Sequence, residues 1–228
     1  MANNYFEGTG VLFLSKVTPV IEALFSANDV KEEDFDNGEV YVHSDGSVMW
    51  PDESLKMLAN DLKLGIPEAA DDDDSAEVLK ALATHFGSMN HPFVIRLKKE
   101  LPDEFVTLDL EDLVELAKCF DDGHGLTGFA ITYAQYCDKP RIWEFGGFGQ
   151  FVSPELALTI GTNRLLGDGE GMSKALQEDR FYDAAKVVTG TVVSDIAGIK
   201  SAEKRARVIE QLLAQLPLAL KFSEATPS

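Results

Sequence analysis

The sequence predicts an α+β protein made of two similar halves, each an antiparallel β-hairpin or small sheet packed with helices, with further helices at the C-terminus. Three observations carry that expectation. Residues 38–50 alternate apolar and polar positions about Asp45-Gly46, the pattern of two strands joined by a tight turn. Apolar stripes at helical spacing follow them, and a comparable order of elements recurs in the second half. At 228 residues and 45% hydrophobic composition, the chain can bury a substantial core.

In the first half, Phe6–Leu14 reads as a strand entered through glycines. Ser15 is placed as the cap of a helix carrying Val17, Val20, Ile21, Leu24 and Phe25, with Pro19 in its first turn. An acidic connector, Asp29–Asp36, leads to the hairpin. There Val40 and Val42 alternate with Tyr41 and His43, and Val48, Met49 and Trp50 form the return strand. Tyr41, His43 and Trp50 are candidates for a contact face, Trp50 also for the core. Pro51 opens a helix whose inner stripe is Leu55, Leu58, Ala59 and Leu62, and Gly65-Ile66-Pro67 stops it. Asp71, Asp72, Asp73 and Asp74 lack the alternating spacing of a calcium loop. They read as the negative start of a helix bearing Val78, Leu79, Leu82 and Phe86, with Asp74 and Glu77 spaced for capping.

His91-Pro92 marks the boundary between an acidic α+β half, 1–91, and a second half, 92–228, which can also pack as one domain. Phe93–Leu97 is a strand or part of the link. Phe105–Leu108 reads as a strand, and Asp109 caps a helix with Leu110, Leu113, Leu116, Ala117 and Phe120 inward. A long hairpin is expected from Phe129–Tyr136 and Ile142–Phe145, turning through Asp138–Pro140. Gly149–Pro154 then parallels Gly46–Pro51, and each proline is followed by an apolar helix ending near Leu64-Gly65 or Leu166-Gly167. Each half can be written strand, helix, hairpin, helix, helix. Divergent duplication explains the order; chance likeness of two short α+β stretches is the alternative.

Leu176, Phe181, Ala184, Ala185, Val188 and Val192 form the stripe of the next helix. Lys200-Ser201 starts a last one with Ile209, Leu212, Leu213 and Leu216, which Pro217 kinks or ends. Phe222–Ser228 is expected to fray. The cluster Lys200, Lys204, Arg205 and Arg207 is read as neutralising acidic surface rather than as holding phosphate.

Catalytic motifs are missing. No His-Glu-x-x-His or Gly-x-Ser-x-Gly occurs, and Gly146-Gly147-Phe148-Gly149 precedes a strand rather than the helix a nucleotide loop needs. The run Gly167-Asp168-Gly169-Glu170-Gly171 is a loop without the repeated copies of a calcium-binding array. Asp121, Asp122 and His124 share a glycine-rich loop and are the candidate ligands for a divalent metal. Cys119 and Cys137 read as buried thiols in a reducing compartment. No cofactor is expected.

Charge gives the functional clue. Thirty-nine acids against twenty bases leave −19, of which residues 1–91 hold −13. Such a surface repels nucleic-acid phosphates and attracts basic proteins at long range. The N-terminus lacks the pattern of a signal peptide, and no apolar run is long enough for a span, so a cytoplasmic protein is expected. The reading is a non-enzymatic acidic interaction protein that blocks a basic surface on a partner. It would be either a nucleic-acid-mimicking anti-defence inhibitor or an immunity-type protein. Asp29, Glu32, Glu33, Asp34, Asp36 and Asp71–Asp74 are the candidate contact residues. The order of elements is similar to that of proteins of bacterial mobile elements, with no motif that carries residues over. The alternative is a small-molecule hydrolase or metal-dependent enzyme of unfamiliar type, centred on the Asp121–His124 loop and the glycine-rich hairpin. A third possibility is that the acidity serves only solubility.

Overall fold

The computed structural model describes residues 4–65, 75–101, 106–139 and 145–224. It is a mixed α+β protein that divides into two compact units, 1–147 and 148–228. In the first unit, β1 (Asn4–Phe13) pairs antiparallel with β3 (Glu39–Ser44) and with β6 (Gly128–Cys137), and β2 (Phe35–Asp36) pairs with β3. The strand order is therefore β2-β3-β1-β6. This sheet joins strands from either side of the His91-Pro92 boundary.

One face of the sheet buries Leu12, Val40, Val42, Phe129, Ile131 and Tyr133, the alternate residues that the two-residue period of a strand places together. Two glycines let β1 and β6 approach. A Cβ on Gly8 would meet the Tyr133 ring at 2.4 Å, and one on Gly10 would meet the Ala130 carbonyl at 2.0 Å. Among the described residues five α-helices complete the unit: α1 (Pro19–Leu24), α2 (Asp52–Asp61), α3 (Ser75–His85), α4 (Pro92–Glu100) and α5 (Leu110–Cys119). Each packs on the next and α5 packs back on α1, enclosing Ile21, Leu24, Phe25, Leu55, Leu79, Leu82, Leu97, Leu113 and Phe120 without solvent exposure above 1%. Each such side chain contributes about 1.5–3 kcal/mol by leaving water.

Several local expectations are corrected here. Val48 and Met49 do not return along β3. They form β4 (Val48–Met49), which pairs with β5 (Thr107–Leu108) in a separate two-stranded sheet. Beside Val42 and His43, which β2 does not reach, the His43 carbonyl instead accepts from the Asn28 side-chain amide (2.8 Å), and Ser44 closes its own turn by accepting from Gly46 N (3.2 Å) and donating to Gly46 O (3.0 Å). The local hairpin is instead β2–β3, turning through Asn37-Gly38 with φ of 50° and 89°. Positive φ at both central residues is what a primed two-residue turn requires. Ser15 does not cap α1. Thr18 stands at the N-cap in extended conformation, and Pro19 takes the first helical position, where a missing N–H costs nothing. Residues 93–97 are neither strand nor link. They lie within α4, with Pro92 in the first turn, His91 Nδ1 accepting from Phe93 N (3.4 Å), and Val94 and Leu97 buried at helical spacing.

In the second unit, β7 (Gly146–Val152) and β8 (Ala157–Gly161) form an antiparallel hairpin, with β7 beginning two residues before the division between units. Its turn is held by Ser153, whose backbone N donates to Leu156 O (2.8 Å) and whose hydroxyl accepts from Glu155 N and Leu156 N. The chain after Pro154 is thus a strand rather than the expected helix, because Ala157–Gly161 is taken up in pairing with Phe148–Val152. Then come α6 (Thr162–Gln177), α7 (Phe181–Ala197) and α8 (Ala202–Glu224). The glycine run Gly167–Gly171 lies inside α6, not in a loop, and α8 continues past Pro217 to Glu224. Of the turn expected at Asp138–Pro140 and the return strand expected at Ile142–Phe145, Pro140 and Ile142–Glu144 fall outside the described residues, as do Asp71–Asp74.

Burial separates the units. Among the described residues, the buried apolar side chains of the second unit are Val152, Ala175 and Ala184. The expected stripe is divided between two helices and is largely outward: Leu176 on α6 and Phe181 and Val188 on α7 are 49%, 65% and 53% exposed. The contact between α6 and α7 uses the adjoining face of α7, with Val187, Thr191 and Asp195, and is made by ion pairs and small residues. Arg164 reaches Asp195 and Asp168, Thr191 donates to Asp168, and Gly171 lies under Val187.

Candidate interaction surface

The acidic connector is an ordered element. Two short 3-10 turns, Ser26–Asn28 and Glu32–Asp34, precede β2, and Asp34 N donates to Lys31 O (3.1 Å). Asn28 is buried and its amide donates to His43 O (2.8 Å), which fastens the loop to the edge of the sheet. Val30 is also buried. Asp29 sits between the turns with φ of 57°, a conformation that aspartate and asparagine tolerate. Held this way, the side chains of Asp29, Glu32, Glu33, Asp34 and Asp36 are all exposed.

Glu22 and Asp61 extend this acidity, and sequence reasoning missed both. Glu22 borders an open depression of about 440 Å³ with Val30, Lys31, Glu32 and Glu33. It also lines a groove of about 210 Å³ between α1 and α2, with Pro19, Ala23, Ser54, Met57, Leu58 and Asp61. Met57 projects there, 67% exposed. The available signal was helical phase: Glu22 lies between the inward Ile21 and Leu24, and Met57 and Asp61 alternate with the inward Leu55, Leu58 and Ala59.

Among the described residues, Glu22, Asp29, Glu32, Glu33, Asp34, Asp36 and Asp61 make no ion pair. Many acids elsewhere do. Asp52 pairs with Lys56, Glu77 with Lys80, Asp112 and Glu100 with Arg96, and Glu115 with Lys118. The cationic cluster near the C-terminus is also engaged locally, with Lys204 on Glu155, Arg207 on Glu203, Lys200 on the Ser153 carbonyl and Arg205 on the Ile199 carbonyl. The acidic connector and groove rim are therefore uncompensated carboxylate on a fixed frame.

The Asp121–His124 loop is spent on structure. Asp122 Oδ1 accepts from Thr18 Oγ1 (2.7 Å) and Oδ2 from Val20 N (3.3 Å), so this carboxylate caps α1 from a distant loop. Asp121 accepts from Gly123 N (2.9 Å). His124 is buried, with Nδ1 accepting from Leu126 N (2.7 Å) and Nε2 placed 3.0 Å from the Ala117 carbonyl, to which it donates. Both ring nitrogens are committed to backbone. Among the described residues no group of three or more His, Cys, Asp or Glu is arranged to hold a metal ion.

A cysteine, a histidine and a carboxylate also line up between α4 and α5. Cys119 Sγ lies 3.2 Å from His91 Nδ1, and His91 Nε2 lies 3.8 Å from Glu115. Burial, with Glu115 adding to it, pushes the thiol up to about 11. A protonated thiol is the reverse of an activated nucleophile, so the arrangement serves as packing with a weak S–H donor. Of the proposed contact aromatics, Tyr41 is exposed, His43 Nε2 meets Asp45 at 2.9 Å and Trp50 is buried.

No protein-family model matches the chain, and comparisons with curated proteins and with solved structures return no match. Among the described residues no helix is long and apolar enough to cross a membrane.

Proposed function

We propose that this is a non-enzymatic acidic interaction protein whose first unit occupies a basic surface on a partner protein. The observation that carries the reading is the uncompensated carboxylate surface of Glu22, Asp29, Glu32, Glu33, Asp34, Asp36 and Asp61 on an ordered frame, beside the exposed Met57. Fixed anions at a surface steer a cationic partner and speed encounter, and an apolar side chain beside Glu22 and Asp61 supplies contact that excludes water. A partner that normally holds nucleic acid presents such a cationic surface, so blocking it is the finer form of the proposal; a basic toxin is the other target of the same chemistry. Asp71–Asp74 belong to the proposed acidic surface by charge alone. A cytoplasmic setting belongs to the proposal as well.

The test compares the wild type with a variant carrying Glu32→Gln, Glu33→Gln, Asp34→Asn and Asp36→Asn, which keeps shape and removes charge. Each protein is immobilised and exposed to a bacterial lysate at low and moderate salt, and captured proteins are identified by mass spectrometry. The wild type should retain basic nucleic-acid-binding proteins that added duplex DNA displaces, and the variant should lose them. Equal capture by both proteins would overturn the proposal.

A further inference from the structure

The second unit differs from the first in charge as sharply as in burial. Residues 1–147 hold twenty-nine acids and eleven bases, a net −18, whereas residues 148–228 hold ten acids and nine bases, a net −1. The charge of the molecule is thus almost entirely in the first unit. The second is nearly neutral and keeps its large apolar side chains outward.

Those side chains are ordered along α8. Ala202, Ala206, Ile209, Leu213 and Leu216 follow one another at spacings of four, three, four and three residues, the a/d repeat of a helix that packs along another helix. All five are exposed, Ile209 at 39%, Leu213 at 68% and Leu216 at 46%. A helix of 23 residues extends about 34 Å at the usual rise of ~1.5 Å per residue. Its N-terminal end is fixed to its own unit, through Lys204 on Glu155 and Arg205 on the Ile199 carbonyl, so the seam is presented from a held base. The two alanines at the start admit close approach of backbones, and the larger residues that follow fill the space between helices.

We propose that α8 pairs with α8 of a second copy of this chain. The choice of a second copy rests on two observations. An a/d seam is self-complementary under a two-fold axis, which is how most homodimers form. The residues flanking the seam carry both signs, with Glu203 and Glu210 along one side and Arg205 along the other, so like helices do not repel, whereas a strongly charged partner would find little complementary.

The two units then respond oppositely to salt. Bringing two copies together also brings two units of −18 near each other, and screening relieves that repulsion, so pairing tightens as salt rises. Binding of a basic partner weakens under the same change. The two proposals can therefore fail separately.

Sedimentation equilibrium of the full chain tests the pairing. The wild type should show a mass near twice 25.0 kDa, with a dissociation constant that falls on going from low salt to about 0.5 M. Leu213→Ala combined with Leu216→Ala, which preserves helix propensity, should raise that constant on the order of a hundredfold while circular dichroism stays unchanged. Leu213→Met with Leu216→Met keeps apolar volume and should retain the dimer, which separates loss of the seam from loss of folding. Met57→Gln, on the first unit, should leave the mass unchanged. A monomeric wild type at all salts, association that weakens with salt, equal masses for wild type and alanine variant, or recovery of the protein with floated phosphatidylcholine vesicles would each overturn the proposal.

Discussion

Replacing Asp122 by alanine tests whether the Asp121–His124 loop is a structural clasp. The substitution removes both acceptors of the α1 cap and leaves the Thr18 hydroxyl, on a residue only 6% exposed, without its 2.7 Å partner. Hydrogen bonds to a charged acceptor contribute about 1.5–3 kcal/mol, and the longer 3.3 Å bond belongs at the lower end or below. A loss of about 2–4 kcal/mol is expected for Asp122→Ala. Asp122→Asn keeps one acceptor oxygen and should lose roughly half as much. Urea unfolding followed by circular dichroism measures both, with midpoint and slope fitted separately. Added zinc, calcium or a chelator should not move the midpoint of the wild type or of either variant. A loss below about 0.5 kcal/mol, typical of an ordinary surface change, or a wild-type midpoint that rises with metal and a variant that does not respond, would refute the clasp.

Three further outcomes follow from the geometry. Gly167 and Gly169 sit in α6 with open space where a Cβ would be, so Gly167→Ala or Gly169→Ala should each stabilise the second unit by about 0.5–1 kcal/mol in thermal or urea unfolding. Gly8→Ala should do the reverse, by about 1–3 kcal/mol, because the new methyl meets the Tyr133 ring, which also stacks on Phe6. The Cys119 thiol is held up to about 11 against an ordinary value near 9.0. Its contribution to stability is present below that ordinary value and is lost as pH rises towards 11. Alkylation of Cys119 by iodoacetamide at pH 8 should therefore be slow until the protein is unfolded, and Cys119→Ala should flatten the alkaline decline in stability.

Much of the first unit can be read from period and punctuation. The strand at 6–14, the inner stripe of α2 and the Asp109 cap of α5 all follow from local pattern, and Asp109 does accept from Asp112 N at 2.8 Å. What escapes is pairing, because alternation gives a strand its faces but not its neighbours. Val48 and Met49 look like a return strand, yet they pair with Leu108 and Thr107 while the Asn28 side chain takes the His43 carbonyl. Asn37-Gly38 is the stronger hairpin signal, obscured because the two-residue β2 is too short to show alternation. Long-range capping is equally hidden: nothing near Thr18 announces that Asp122 serves it from 104 positions away. In α6, local propensity points away from the structure. Three glycines within five residues argue for a loop, and the tertiary bonds of Arg164, Asp168 and Thr191 override them.

The charge clue was legible in composition, but its location was not. Counting alone put −13 on residues 1–91, and the unit boundary places −18 on residues 1–147. Sequence could name the acids of the connector as candidates. It could not show that they lack partners while many acids elsewhere have them, nor that Glu22 lines both depressions.

The central claim is that those carboxylates bind a cationic protein surface. Its most direct test is the affinity for the captured partner, measured by calorimetry across a range of salt with the wild type and with the fourfold variant at Glu32, Glu33, Asp34 and Asp36. The wild-type affinity should fall steeply as salt rises, and the variant should bind more weakly with a shallower dependence. An affinity that is indifferent to salt, or a variant that matches the wild type at every salt concentration, would contradict it.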